Sequence, residues 1–274
     1  MSTTDQFLPG LYTYPEKGTE LQQGEHPASH AQQALIGGSA EERTIPLPAR
    51  SLVLGQAEDG LSLMLDIYDP AIGPLLIAGD GGSGKTALLR SIAQASDNQD
   101  PGDIQFGVIT PFPEEWTDQE TLPNCLGIWP AFHPAAKEFL LKILNLANVL
   151  QGSHQLILVM VDGLDLLTAG GSTIQHELRC LLMIGPRRQI LPVVTINPGR
   201  LAHLETWLGY FNTSLLGQVD RPQTACLLFK DSKIDLAELE AGKQFCLPRL
   251  NGCLKFRLSS IGKRGCHERR NAVV

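Results

Sequence analysis

Nowhere in the 274-residue chain does an apolar run reach the roughly 18–20 residues that a membrane-spanning helix requires. Its first residues also lack the charged-then-apolar pattern of a secretory leader, so the expected location is the cytoplasm. Cysteine is sparse and scattered: Cys125, Cys180, Cys226, Cys246, Cys253 and Cys266 form no C-x-x-C pair and have no histidine at zinc-ligand spacing. That excludes a zinc module or a disulfide framework and fits small core residues kept reduced. Basic charge is in deficit. With Lys+Arg 22 against Asp+Glu 29, the net charge is −7, which removes a whole-molecule electrostatic case for nucleic acid and leaves only local patches. No internal repeat is visible, which excludes solenoids and propellers. What is present, 43% hydrophobic and 19% charged residues, suits one sizeable α/β domain with extensions, although the length alone also allows two small ones.

The most informative stretch is Gly79-Asp80-Gly81-Gly82-Ser83-Gly84-Lys85-Thr86, which fits G-x-x-x-x-G-K-[ST] at every fixed position. Leu75-Leu76-Ile77-Ala78 before it reads as a buried strand, and Ala87-Leu88-Leu89-Arg90-Ser91-Ile92-Ala93 after it reads as a helix. Polyphosphate carries several negative charges and must be wrapped by donors. Glycines let consecutive N–H groups point inward, and the start of the helix adds positive potential. In this reading the nucleotide is held by the loop from Gly79 to Thr86 together with Ala87; Lys85 reaches the β- and γ-phosphates, and Thr86 holds Mg²⁺. The chain is expected to bind ATP with Mg²⁺.

Residues 1–45 are rich in Gln, Gly, Ser, Thr and Glu without apolar periodicity, and read as a disordered or docking arm in which Phe7-Leu8-Pro9-Gly10-Leu11-Tyr12 is the candidate anchor. Residues 46–262 read as the nucleotide-binding domain and 263–274 as a basic tail carrying Lys263, Arg264, Arg269 and Arg270. Leu52–Gly55 and Leu61–Leu65 flank Glu58-Asp59-Gly60, a hairpin signal. Further strands are expected at 104–109, 156–161, 191–196, 215–219, 245–247 and 254–258, with helices at 134–149, 174–184 and 201–211. Strands alternating with helices in this order argue a mostly parallel sheet with helices on both faces.

Phosphate-loop enzymes that hydrolyse nucleotide place an Asp at the end of a second strand to hold the metal. Leu156-Ile157-Leu158-Val159-Met160-Val161 runs straight into Asp162, and no other apolar run of that length ends in Asp. Asp165 either supports Asp162 or caps the next segment. The next position, where many such enzymes keep a water-polarising Glu, is Gly163; Glu114 and Glu115, after the strand at 104–109, are the substitute acids. Asn197, at the end of the strand 191–196, is the candidate γ-phosphate sensor or else a turn residue before Pro198. The expected catalytic set is therefore Lys85, Asp162 and Asn197, with Thr86 and Asp162 on the metal.

In this order the pieces resemble the FtsK/HerA branch of RecA-like ATPases, most closely the FtsK type of motor domain. The resemblance rests on the hairpin before Pro74-Leu75-Leu76-Ile77-Ala78-Gly79 and on Ile109-Thr110-Pro111 where the family has Asp-Pro-Lys. It continues in Leu122-Pro123-Asn124, in His133-Pro134-Ala135-Ala136, and in Gly185-Pro186-Arg187 ahead of Thr195-Ile196-Asn197-Pro198, which is similar to the family's T-Q-x-P strand end. Phe211–Val219 and Gly242–Pro248 are similar to its last strands, so coverage runs over about residues 50–262. The resemblance implies a RecA-like fold, ATP and Mg²⁺, a hexameric ring or hetero-assembly, and movement of DNA or secreted protein. The departures are Gly163 in place of the hydrolytic Glu, and Thr110 and Phe112 in place of the turn's Asp and Lys. Neither a membrane region ahead of the fold nor a winged-helix module behind it is expected. Asp162-Gly163-Leu164-Asp165-Leu166 also resembles signalling ATPases that switch rather than turn over, and a non-hydrolysing regulatory protein stays open as the alternative.

Overall fold

The computed structural model describes residues 11–15, 51–147, 149, 154–169, 173–201, 203–228, 235–249 and 252–258. The basic tail at 263–274 and most of the 1–45 arm lie outside the described residues. Of the arm, Leu11–Pro15 forms β1, antiparallel to β3. Its Leu-Tyr-Thr-Tyr sequence is rich in strand formers, and the outer edge of β3 offers it a row of ladder partners.

The remaining strands are β2 (Ser51–Ala57), β3 (Leu61–Asp66), β4 (Leu75–Ala78), β5 (Ile104–Thr110), β6 (Cys125–Pro130), β7 (Leu156–Val161), β8 (Ile190–Ile196), β9 (Thr213–Leu216), β10 (Gln244–Arg249) and β11 (Gly252–Leu258). The described strands form a single sheet in the order β1-β3-β2-β11-β10-β9-β4-β8-β7-β5-β6. From β9 to β6 every pairing is parallel, and from β1 to β9 every pairing is antiparallel. The phosphate-loop strand β4 and the acidic strand β7 are thus not neighbours: β8 lies between them and hydrogen-bonds to both.

Why the central strands read as unbroken apolar runs follows from their burial on both sides. In β7, Leu156, Leu158 and Met160 enter one core while Ile157, Val159 and Val161 enter the other. One core is closed by Leu88, Leu89, Ile92 and Ala93 of α1 (Lys85–Ser96) together with the β2–β3 hairpin. The other is closed by Phe139, Leu140 and Ile143 of α3 (Pro134–Leu146), where α2 is the single turn Thr117–Glu120, and by Leu178, Leu181 and Leu182 of α5 (Gln175–Ile184). Burying that many methylenes, each worth about 0.8 kcal/mol, is what holds the two layers on the sheet.

Several elements differ from the sequence reading. Strand β6 has no counterpart among the expected elements; it is an edge strand with Gly127 inside and Pro130 at its end, so its residues are mostly only partly buried and its period is weak. The segment after Asp162 coils into α4 (Leu164–Ala169), too short to show a period. The helix expected at 201–211 is only α6 (Leu204–Leu208), and α7 (Pro222–Leu228) appears where none was expected, with no buried residue to mark it.

Candidate nucleotide site

The site is assembled at the carboxyl ends of the parallel strands. Leu75, Leu76, Ile77 and Ala78 of β4 are fully buried, which fixes where the chain emerges. The loop that follows is tied down by its neighbours: Gly79 N–H donates to Ile196 O at 3.2 Å and Asp80 N–H to Gln218 O at 2.8 Å. Gly82 and Gly84 have φ of 81° and 90°, a region in which only glycine is at ease. Gly84 is required for a second reason, because a Cβ there would lie 2.8 Å from the Gly242 Cα. The turn before β10, from the antiparallel half, therefore rests directly on the phosphate loop.

Helix α1 starts at Lys85 with no side-chain cap and no acidic residue in its first turn, so its leading N–H groups and their positive potential are left for an anion. Ala87 sits exposed in that turn. Lys85 Nζ donates to the Asp80 carbonyl at 2.8 Å and approaches Ser83 Oγ at 3.5 Å. Burial pushes the Lys85 pKa below the ordinary lysine value; Asp165, Asp162 and Asp80 oppose the shift, and the charge of Arg200 adds to it.

Asp162, at the end of β7, is buried and accepts the Thr86 hydroxyl at 2.9 Å on Oδ2. On its other side the Thr195 hydroxyl of β8 donates to Oδ1 at 2.7 Å, and the same Thr195 oxygen accepts the Gly163 N–H at 2.7 Å. Asp165 Oδ1 accepts the Asn197 N–H at 2.8 Å, binding the loop after β7 to the loop after β8. Asn197 Oδ1 in turn accepts the Gly199 N–H at 3.1 Å, so that oxygen closes a turn, while the residue itself stands beside the loop. Gly163 has φ of 85°. A Cβ there would meet Leu166 Cδ1 at 3.4 Å and Pro111 Cγ at 3.6 Å. The missing carboxylate is therefore built into a backbone turn that does not welcome one. Pro111 brings the loop after β5 alongside, and Glu114 and Glu115 are exposed in the 3-10 turn that follows it, Pro113–Trp116.

Lys85, Thr86 and Asp162 thus converge. Thr195 was noted only as part of the strand end similar to T-Q-x-P and not as a site residue, because a threonine in an apolar strand looks like one more β-branched strand former. Among the described residues no three His, Cys, Asp or Glu side chains could hold a metal ion by themselves. A cation here would take Thr86 Oγ1, Asp162, phosphate oxygens and water, a hard oxygen set that suits Mg²⁺. No described helix is long and apolar enough to cross a membrane.

The fold is that of the FtsK/HerA-like P-loop ATPases. No family model matches the chain. Among solved structures it is similar to EccC of Thermomonospora curvata (ATPases 2 and 3, in complex with a signal sequence peptide), with a TM-score of 0.60 and 16% identity over 76% of this chain and 40% of that one. EssC of Geobacillus thermodenitrificans (ATPases 2 and 3) gives a TM-score of 0.58 and 13% identity over 89% and 49%. The pCW3 conjugation coupling protein TcpA with ATPγS gives 0.55 and 16% over 76% and 65%. These identities speak for the fold alone. Among curated proteins, the chain is 33% identical over 96 residues to magnesium-chelatase subunit ChlI of Oryza sativa subsp. indica, covering 35% of this chain and 22% of that protein. ChlI of Porphyra purpurea is 42% identical over 53 residues, covering 19% and 15%. The chain therefore spans less than a quarter of the length of these curated relatives.

Proposed function

We propose that the chain binds ATP with Mg²⁺ and hydrolyses it slowly, or only when a partner completes the site, within an assembly that moves DNA or protein. The observation that carries this is the 2.9 Å contact between Thr86 Oγ1 and Asp162, which joins the phosphate loop to the acidic strand end across β8. The loop N–H groups and Lys85 bind and orient the polyphosphate, and Thr86 and Asp162 hold the metal, with Thr195 fixing the Asp162 carboxylate. Mg²⁺, when bound, supplies charge neutralisation across the β- and γ-phosphates. A non-hydrolysing regulatory role is the second reading, favoured by Gly163, whose backbone conformation disfavours the usual acid. The likeness to secretion and conjugation ATPases supports an oligomeric assembly, with ring formation and cargo taken from that likeness.

Steady-state phosphate release at saturating ATP tests the reading, using the natural chain and a Glu114→Gln, Glu115→Gln variant. Slow release that the double substitution lowers by about 10²-fold or more makes one of these acids the base. Release unaffected by the substitution removes them from the site. No release, with ATP bound, selects the regulatory reading.

A further inference from the structure

The turn that leaves β8 carries an arginine that the phosphate-loop pattern does not account for. Arg200 N–H donates to the Asn197 carbonyl at 3.0 Å and Leu201 N–H donates to the same carbonyl at 3.2 Å. With the Gly199 bond to Asn197 Oδ1, the turn is closed three ways and holds the Arg200 Cα in place. It lies against the phosphate loop: a Cβ on Gly199 would sit 3.8 Å from Asp80 Oδ1.

Two cations, Lys85 and Arg200, therefore share this edge of the sheet, and neither makes an ion pair among the described residues. The nearby carboxylates are engaged elsewhere. Asp162 accepts from Thr86 and Thr195, Asp165 from Asn197 N–H, and Asp80 from Asp220 N–H at 2.8 Å. Arg200 has no carboxylate partner among the described residues and is left for an anion that arrives at the loop. An exposed guanidinium with no hydrogen-bond partner among the described residues is free to turn toward one, in the bidentate manner that suits phosphate.

We propose that Arg200 contacts the terminal phosphate of a bound nucleoside triphosphate from within the same chain, so that a single subunit tells triphosphate from diphosphate. This rests on the reading of the site as an ATP site. Lys85 and the loop N–H groups serve the phosphates that ATP and ADP share. Arg200 would serve the one they do not.

The test is calorimetric titration of dilute natural chain, Arg200→Ala and Arg200→Lys with AMPPNP and with ADP, each with Mg²⁺. The natural chain is expected to favour AMPPNP. Arg200→Ala should lose AMPPNP affinity on the order of tenfold with ADP affinity unchanged, and Arg200→Lys should recover part of the loss. The proposal is overturned if Arg200→Ala weakens both nucleotides alike or neither. It is also overturned if the preference for AMPPNP appears only at protein concentrations that drive association, because the cation then comes from a neighbour. A natural chain that binds ADP but shows no preference sinks the Arg200 assignment alone. One that binds neither nucleotide sinks the ATP-site reading with it.

Discussion

Compare the phosphate loop with the end of β7, one strand away from β4 across β8. In the loop each requirement for polyphosphate is met: glycines at the two positive-φ positions, an uncapped helix start, and a lysine with no competing ion pair among the described residues. At the end of β7 the proposed metal ligand Asp162 is buried between two hydroxyl donors. One residue further on the two regions part company. Gly163 turns the chain through φ of 85°, donates its N–H to Thr195 and brings no side chain of its own to the position where many such enzymes keep a Glu. In the proposed site the groups for binding nucleotide are thus separate from the usual acid for hydrolysis: backbone N–H groups, helix potential and Lys85 serve the first, and Gly163 stands at the ordinary position of the second.

The largest effect should come from the loop. Lys85→Ala removes a full charge from a partly desolvated cradle, where charge-assisted contacts are worth about 1.5–3 kcal/mol. ATP affinity should fall by roughly tenfold to a hundredfold or beyond in a calorimetric titration. Unchanged affinity would mean that the loop is not the site.

A smaller effect belongs to the link between β7 and β8. Thr195→Val keeps the shape of a fully buried side chain but leaves the Gly163 N–H without its acceptor and Asp162 without one donor. It should cost about 1–3 kcal/mol in chemical denaturation. It should also weaken the Mg²⁺ dependence of ATP binding, which a purely structural threonine would leave intact.

Smaller again is the effect of restoring the acid. Gly163→Glu places a side chain at positive φ against Leu166 and Pro111, which should lower stability by about 1–2 kcal/mol, read as a drop in Tm. Because the strain moves the new carboxylate, little gain in phosphate release is expected. A stable variant with fast release would show that the turn relaxes and that the two regions differ by a side chain only.

The loop and Asp162 were legible in the sequence because their chemistry fixes residue type at fixed spacing: glycine where φ is positive, lysine at the helix start, an acid at the end of an apolar strand. The central strands were legible because burial on both faces leaves unbroken apolar runs such as Leu156–Val161. What stayed hidden depends on contacts distant in sequence or on residues with a commonplace local reading. Thr195 is one of seven buried residues in β8, and only the structure shows its hydroxyl shared between Asp162 and Gly163. Arg200 after Pro198-Gly199 reads as a solvated turn. The close approach of Gly242 to Gly84 sets the turn before β10 against the phosphate loop and leaves no mark in either segment. Asn197 was chosen for its side chain; in the fold its backbone N–H ties the loops after β7 and β8 together through Asp165, and its side-chain oxygen closes the turn to Gly199.

The central claim, that loop and acidic strand end form one site for metal and nucleotide, is tested most directly by titrating the natural chain with ATP in the presence of Mg²⁺ and again with a chelator. Saturable binding of one ATP per chain, weakened when Mg²⁺ is withdrawn and restored when it returns, is the predicted result. Binding that ignores Mg²⁺ would contradict the pairing of Thr86 with Asp162, and no binding under either condition would contradict the site as a whole.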